Sequence, residues 1–183
     1  MRIAVLGRGS VGGGLADLWE QAGHTVARIG RDGGDVSDAE TILLAMPGAA
    51  IADALDSVRG IQGKTVVDAT NLIGASPPDG FPSNAEFAKS RTNGPTAKAF
   101  NINFAILYEK IATARMPPGN LWCGDDEARA IVEQLSRDAG YDPIYAGGLE
   151  NAALQESFLQ LAFAINRGGL GPFFYRMASA DQF

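Results

Sequence analysis

Near the start of the chain, Gly7-Arg8-Gly9-Ser10-Val11-Gly12 forms a G-x-G-x-x-G. This spacing suits backbone recognition of a phosphate group. Gly7 permits a tight turn, Gly9 lets the main chain approach a diphosphate, and Gly12 lets a helix pack on a strand. The free N–H groups at the helix start, at Ser10 and Val11, then face the anion. The motif carries this meaning only between a strand and a helix, and both are indicated. Ile3-Ala4-Val5-Leu6 is a short apolar run ahead of it, and Leu15, Leu18, Trp19 and Ala22 follow at helical spacing. A plain glycine-rich turn is the alternative, and the context favours dinucleotide binding. Arg8 either adds a phosphate contact or points to solvent.

The choice of dinucleotide belongs to the end of the second strand, where an acid holds a ribose diol and an arginine accepts a 2′-phosphate. Arg28 and Arg31 stand there, with Asp32 beside them. Arg31 lies at the loop start and is the better partner for a two-pronged guanidinium–phosphate contact, which favours NADP over NAD. The alternative makes both arginines surface charges and gives the ribose to Asp32. Ala45, Met46 and Pro47 follow the third apolar run and Asn71 follows the fourth, at the carboxyl edge where open α/β sheets bind ligands. They are placed to line the ribose and nicotinamide, unless Pro47 only starts a helix and Asn71 only makes a turn. Lys98, Asn101 and Asn103 pose the same choice after the fifth strand.

Proton donors are scarce. His24, the only histidine, falls at the opposite end of the sheet from the glycine motif. Cys123 reads as an inert core thiol. Lys98 and Tyr108 remain as donors with ready structural explanations, so no catalytic residue is assigned. Hydride exchange between two ring systems depends on stacking and exclusion of water more than on a positioned acid. The loop over residues 74–82, with Phe81, either covers an acceptor or serves as a connection stiffened by prolines.

The elements that must position these residues alternate. Strands are predicted over 3–6, 25–29, 41–45, 65–69, 97–100, 120–123 and 143–145. Helices are predicted over 11–23, 49–58, 103–114, 125–139 and 150–166, with another opened by a Ser83/Glu86 capping box. Residues 32–40 are too few for a crossover helix, although Ser37 with Glu40 can cap one turn. The alternation implies right-handed crossovers and an α/β fold: a doubly wound, mostly parallel sheet of the Rossmann NAD(P)-binding type with a C-terminal helical extension. The 183 residues suit one domain, 1–183, with segment 149–183 packed on it or shared across a homodimer.

Fifteen Lys+Arg against twenty-one Asp+Glu, net −6, argue against nucleic acid as a partner. One cysteine and one histidine cannot build a structural zinc site, so no metal is expected. The single thiol and the lack of a long apolar run favour a cytoplasmic protein with no membrane partner.

With the glycine motif, TILLAMPG, TVVDATN, AKAFNIN and WCGDDEAR in this order, the chain resembles the NADPH-dependent reductases of the deazaflavin coenzyme F-420, from residue 2 to about residue 176. That resemblance implies hydride transfer between the nicotinamide of NADP and the deazaflavin ring. It implies that Arg31 meets the 2′-phosphate and that Ala45, Met46 and Pro47 lie beside the nicotinamide ribose. It also places Asn71, Lys98, Phe100 and Asn101 around the cofactor cleft. The short segment 32–40 departs from the family, as does the overall length. The expectation is therefore an NADP(H)-dependent oxidoreductase passing hydride to a small-molecule or cofactor acceptor, such as coenzyme F-420 or a flavin. The alternatives are a reductase of a small imine or carbonyl compound and a non-catalytic module that binds or senses NADP.

Overall fold

Period-two alternation along each apolar run sorts its side chains onto two faces, and both faces are covered. The computed structural model describes residues 1–182, so Phe183, the end of the expected tail, lies outside them. The strands are β1 (Arg2–Leu6), β2 (Thr25–Ile29), β3 (Gly34–Asp35), β4 (Thr41–Leu44), β5 (Val58–Arg59), β6 (Thr65–Asp68), β7 (Thr96–Ala99), β8 (Gly119–Gly124) and β9 (Asp142–Tyr145). The helices are α1 (Ser10–Gln21), α2 (Ile51–Asp56), α3 (Asn84–Thr92), α4 (Arg129–Asp138) and α5 (Ala152–Ile165).

Seven strands form one sheet in the order β2-β1-β4-β6-β7-β8-β9. All pairs are parallel except β7 with β8. This is the doubly wound, mostly parallel α/β sheet of Rossmann type. Ile3, Val5, Leu43, Val67, Ala97 and Ala99 pack on α1 and α4 through Leu15, Trp19, Val132 and Leu135. Ala4, Leu6, Ile42, Leu44 and Val66 face the other way, against Ile51 and Leu55 of α2 and Phe87 of α3. The Trp19 indole N–H donates to Leu135 O at 2.9 Å, which joins α1 to α4 without leaving a buried donor unpaired.

Three local expectations give way. Segment 32–40 makes a single turn, closed by Ala39 N to Val36 O at 3.0 Å, but Ser37 and Glu40 do not cap it: β3 pairs in parallel with β5, and Val36 and Ala39 are buried. Lys64 fastens it by donating to Ser37 O and Ala39 O at 2.7 and 2.6 Å. Glu40 accepts the Arg2 N–H at 2.6 Å, which holds its carboxyl below the usual range. Among the described residues no strand is added beyond β2, which is the sheet edge. α2 accordingly stops at Asp56, because Val58 and Arg59 are taken by β5. Residues Ala105–Thr113 wind as a 3-10 helix, with Tyr108 laid so closely on Gly14 of α1 that any side chain there would overlap its ring. Ser83 does cap α3, accepting from Glu86 N at 3.2 Å. Phe81 stacks edge-on against Phe87 of α3.

The tail packs on its own sheet. Gly119 N donates to Tyr175 O and Leu121 N to the Tyr175 hydroxyl, at 2.6 and 2.8 Å, while Phe173 meets Phe104. Leu154, Leu161 and Leu170 stay exposed. Among the described residues no helix is long and apolar enough to cross a membrane.

Candidate functional site

After β1 the chain crosses one way to β2, while β4 pairs on the other side of β1, so the carboxyl ends of β1 and β4 part. Such a switch point opens a crevice in any doubly wound sheet. Here it is a cleft of about 790 Å³, floored by Leu6, Gly7, Arg8 and Gly9, with Ala45, Met46 and Pro47 on one side and Gly30, Arg31 and Asp32 at the far end. Gly7 takes φ 113°, a conformation that L side chains rarely adopt, and a Cβ there would run into the Ala45 carbonyl. A Cβ on Gly12 would strike the Gly7 carbonyl, so α1 is seated directly on the turn that feeds it. Gly9, the middle glycine, has nothing within 4 Å of its Cβ position and faces open space.

The first intrahelical bond of α1 runs from Gly13 N to Gly9 O at 2.7 Å. The amides of Ser10, Val11 and Gly12 come before it and have no acceptor inside the helix. No side chain caps this terminus, and no acid in its first turn offsets the positive end of the helix dipole. Backbone donors, a positive dipole and an open approach therefore coincide at the cleft floor.

The arginines separate. Arg28 shares its register row with Val5, whose face carries α1, and its guanidinium turns there to bond Asp17 and Glu20, both at 2.7 Å. These two acids raise its pKa further and hold it out of the cleft, which removes Arg28 as a phosphate contact. Arg8 lies along the end of β2, donating to Arg28 O at 3.1 Å, with its guanidinium against Gly30. Arg31 is exposed on the cleft wall just beyond, beside Asp32. Two guanidinium groups from different elements thus flank one end of the cleft.

At the other end, Pro47 leads into Gly48, whose carbonyl accepts from Asn84 Nδ2 at 3.0 Å; the same amide donates to Thr70 Oγ1. Thr70 precedes Asn71, which pairs with Asn101. Asn71 Nδ2 donates to Asn101 O, and Asn101 Nδ2 to Asn71 Oδ1, at 2.9 and 3.0 Å. This pair adjoins the cleft without lining it. Lys98 is fully buried and directs its ammonium to Asp68, the Thr70 carbonyl and Glu156, so all three of its hydrogens are engaged inside the protein. It can neither touch a cofactor nor reach an acceptor, contrary to its expected place in the cleft.

The remaining donors are no closer. The Tyr108 hydroxyl is buried against α1 with no partner among the described residues, and burial raises its pKa. Cys123 is buried and its thiol is pushed up to about 12 by desolvation. His24 bonds Asp138 at 2.7 Å at the amino edge of the sheet. Two groups escaped sequence reasoning. Asp53, Ala54 and Ser57 line the cleft from one face of α2 and its end, a face that helical spacing alone could have shown. Gln155 and Glu156 enter the polar network from α5, where Glu156 is the one charged residue.

No family model and no curated protein sequence matches the chain at a significant level. Among solved structures it is similar to a candidate F-420-dependent NADP reductase of Arthrobacter sp. FB24, with TM-score 0.78 and 22% identity over 97% of this chain and 99% of the other. A reductive aminase of Aspergillus terreus in complex with NADPH superposes with TM-score 0.67 at 16% identity, over 91% of this chain and 62% of its own length. A 3-hydroxyisobutyrate dehydrogenase of Mycobacterium tuberculosis gives TM-score 0.65 at 14% identity, over 91% of this chain and 61% of its own. At these identities the likeness is one of fold.

Proposed function

We propose that the chain is an NADP(H)-dependent oxidoreductase whose cofactor lies in the cleft between the ends of β1 and β4. The observation that carries this reading is the meeting of the uncapped N-terminus of α1 with Arg8 and Arg31 in one open crevice. In this reading the amides of Ser10, Val11 and Gly12 hold the diphosphate. Arg31, with Arg8 beside it, takes the 2′-phosphate that distinguishes NADP from NAD. Asp53 and Ser57 face the adenosine half, while Ala45, Met46 and Pro47 border the nicotinamide ribose. When bound, the nicotinamide supplies a hydride, and the chain's part is to orient its ring and exclude water.

The acceptor is a planar ring system such as a deazaflavin or a flavin. Burial of both Lys98 and Tyr108 removes the two side chains that would have donated a proton to a carbonyl or imine, and this favours an acceptor that needs stacking. The Arthrobacter protein's name supports the same choice. Asp32 and Asp53 in the cleft are the basis of a rival reading in which NAD is held by its ribose.

Fluorescence titration with NADPH and NADH, followed by NADPH oxidation with a deazaflavin, a flavin and a panel of imines and ketones, tests the proposal. Tighter NADPH binding with turnover on a ring acceptor is expected. Turnover confined to imines or ketones would overturn the acceptor, and binding without any turnover would leave an NADP-binding module.

A further inference from the structure

The register of the sheet sets Asp68 directly opposite Lys98, at the carboxyl ends of β6 and β7. Neighbours in one row share a face, here the face covered by α3 and α5. Asp68 and Lys98 are each 0% exposed as side chains, and Glu156 is 11% exposed. Lys98 Nζ donates to Asp68 Oδ2 at 2.8 Å, to Thr70 O at 2.6 Å and to Glu156 Oε1 at 2.6 Å. The other Asp68 oxygen accepts the Thr70 N–H at 2.8 Å. The residue before Glu156 reaches in as well: Gln155 Nε2 donates to Asn101 Oδ1 at 2.8 Å and to Leu121 O at 3.0 Å.

Two carboxylates and one ammonium in a dry site carry a desolvation cost that apolar side chains of similar volume would avoid. Burial indeed holds the Glu156 carboxyl above its usual range, despite Lys98 beside it. The cluster therefore contributes little to stability for what it costs, while its bonds all converge on one place. Both main-chain groups of Thr70 are fixed by it, and Asn101 is fixed by the adjacent Gln155. Asn71 is bonded to Asn101 and follows Thr70 directly. A continuous chain of hydrogen bonds thus joins α5 to the Asn71–Asn101 pair beside the cleft, and Thr70 is linked through Asn84 to Gly48, next to Pro47 of the cleft.

We propose that Lys98 is a positioning residue that, together with Asp68 and Glu156, clamps α5 to the carboxyl edge of the sheet and so sets the Asn71–Asn101 pair at the nicotinamide end of the cleft. The functional half of this inference rests on the cofactor reading above; the clamp itself does not. Neither Lys98 nor Glu156 touches the cofactor. They act through Thr70 and Asn101, and a hydride step is sensitive to small misplacement of the groups that orient the ring.

The test uses the full chain carrying Glu156→Ala, with Glu156→Gln as the conservative variant, because the partly exposed acid can be removed without stranding a buried lysine. Amide hydrogen exchange at Thr70, Asn71 and Asn101 is read first, without nucleotide. Glu156→Ala is expected to speed exchange there by about tenfold or more relative to β1 amides, since it releases local structure, and Glu156→Gln to restore most of the protection. With NADPH and a ring acceptor, Glu156→Ala is expected to lower kcat by about tenfold or more while KM for NADPH changes by less than about threefold. Unchanged exchange at all three amides in a folded Glu156→Ala protein overturns the clamp. Faster exchange with unchanged kcat overturns its role in turnover. Failure of the wild-type protein to bind NADPH overturns the cofactor reading alone, since the exchange result still decides the clamp.

Discussion

Arg8 and Arg31 reach the end of β2 from two different loops; among the described residues Arg8 donates to a main-chain carbonyl and Arg31 to none. A guanidinium–phosphate contact is charge-assisted and two-pronged, worth about 1.5–3 kcal/mol in partly desolvated sites. Arg31→Ala is therefore expected to raise the Kd for NADPH by about ten- to a hundredfold. The Kd for NADH, which lacks the 2′-phosphate, should change by less than about threefold. Fluorescence titration of both coenzymes reads the difference, and equal weakening would transfer the site to the NAD reading built on Asp32. In the sequence Arg31 is preferred for its place at the loop start, but nothing there removes Arg28, which lies inside the second strand, from the cleft. What separates them is register: Arg28 stands opposite Val5, on the face that α1 covers with Asp17 and Glu20. Which strand lies beside which is a property of the sheet and is not encoded locally.

At the level of elements, the strand–turn–helix unit of β1 and α1 depends on contacts too close for a side chain. Gly12→Val is expected to cost about 1–3 kcal/mol by overpacking, seen as a lower unfolding midpoint. It should also weaken NADPH binding, because relief of the clash at the Gly7 carbonyl moves the amides of α1 away from the cleft. A variant with normal NADPH affinity would show that α1 does not hold the diphosphate. This unit was legible from its pattern alone, as were the apolar strands β2, β4 and β6 and the cap of α3 by Ser83, because each rests on local chemistry. The ribbon of β3 and β5 was not legible, since two-residue strands leave no periodicity and are made by partners more than twenty positions apart. The 3-10 winding of Ala105–Thr113 was not legible either, and its Tyr108 packs on Gly14 more than ninety positions away, a contact that local periodicity does not show. In the candidate site, the residues carried by loops were found, and those supplied by the faces of α2 and α5 were not.

On the scale of the whole molecule, the cleft is built by the first half of the chain and the buried cluster on the wall beyond it is closed by α5 from the second. A ligand in the cleft bonds groups brought together only when β1, β2 and β4 are assembled in one sheet, so it binds the folded chain and not the unfolded one. At NADPH about a hundred times its Kd, this linkage is worth about 2.7 kcal/mol. For a chain of this size each kcal/mol moves the unfolding midpoint by about 2–4 °C, so a rise of about 5–11 °C is expected in a thermal scan. The Arg31→Ala protein at the same NADPH concentration should lose about half or more of that rise while keeping its nucleotide-free midpoint, because Arg31 is exposed. Raising the salt should also shrink the wild-type shift, since the exposed arginine meets the phosphate in a screened setting on a chain of net charge −6. A shift insensitive to both Arg31 and salt would mean that the coenzyme is held elsewhere in the fold, away from the parting of β1 and β4.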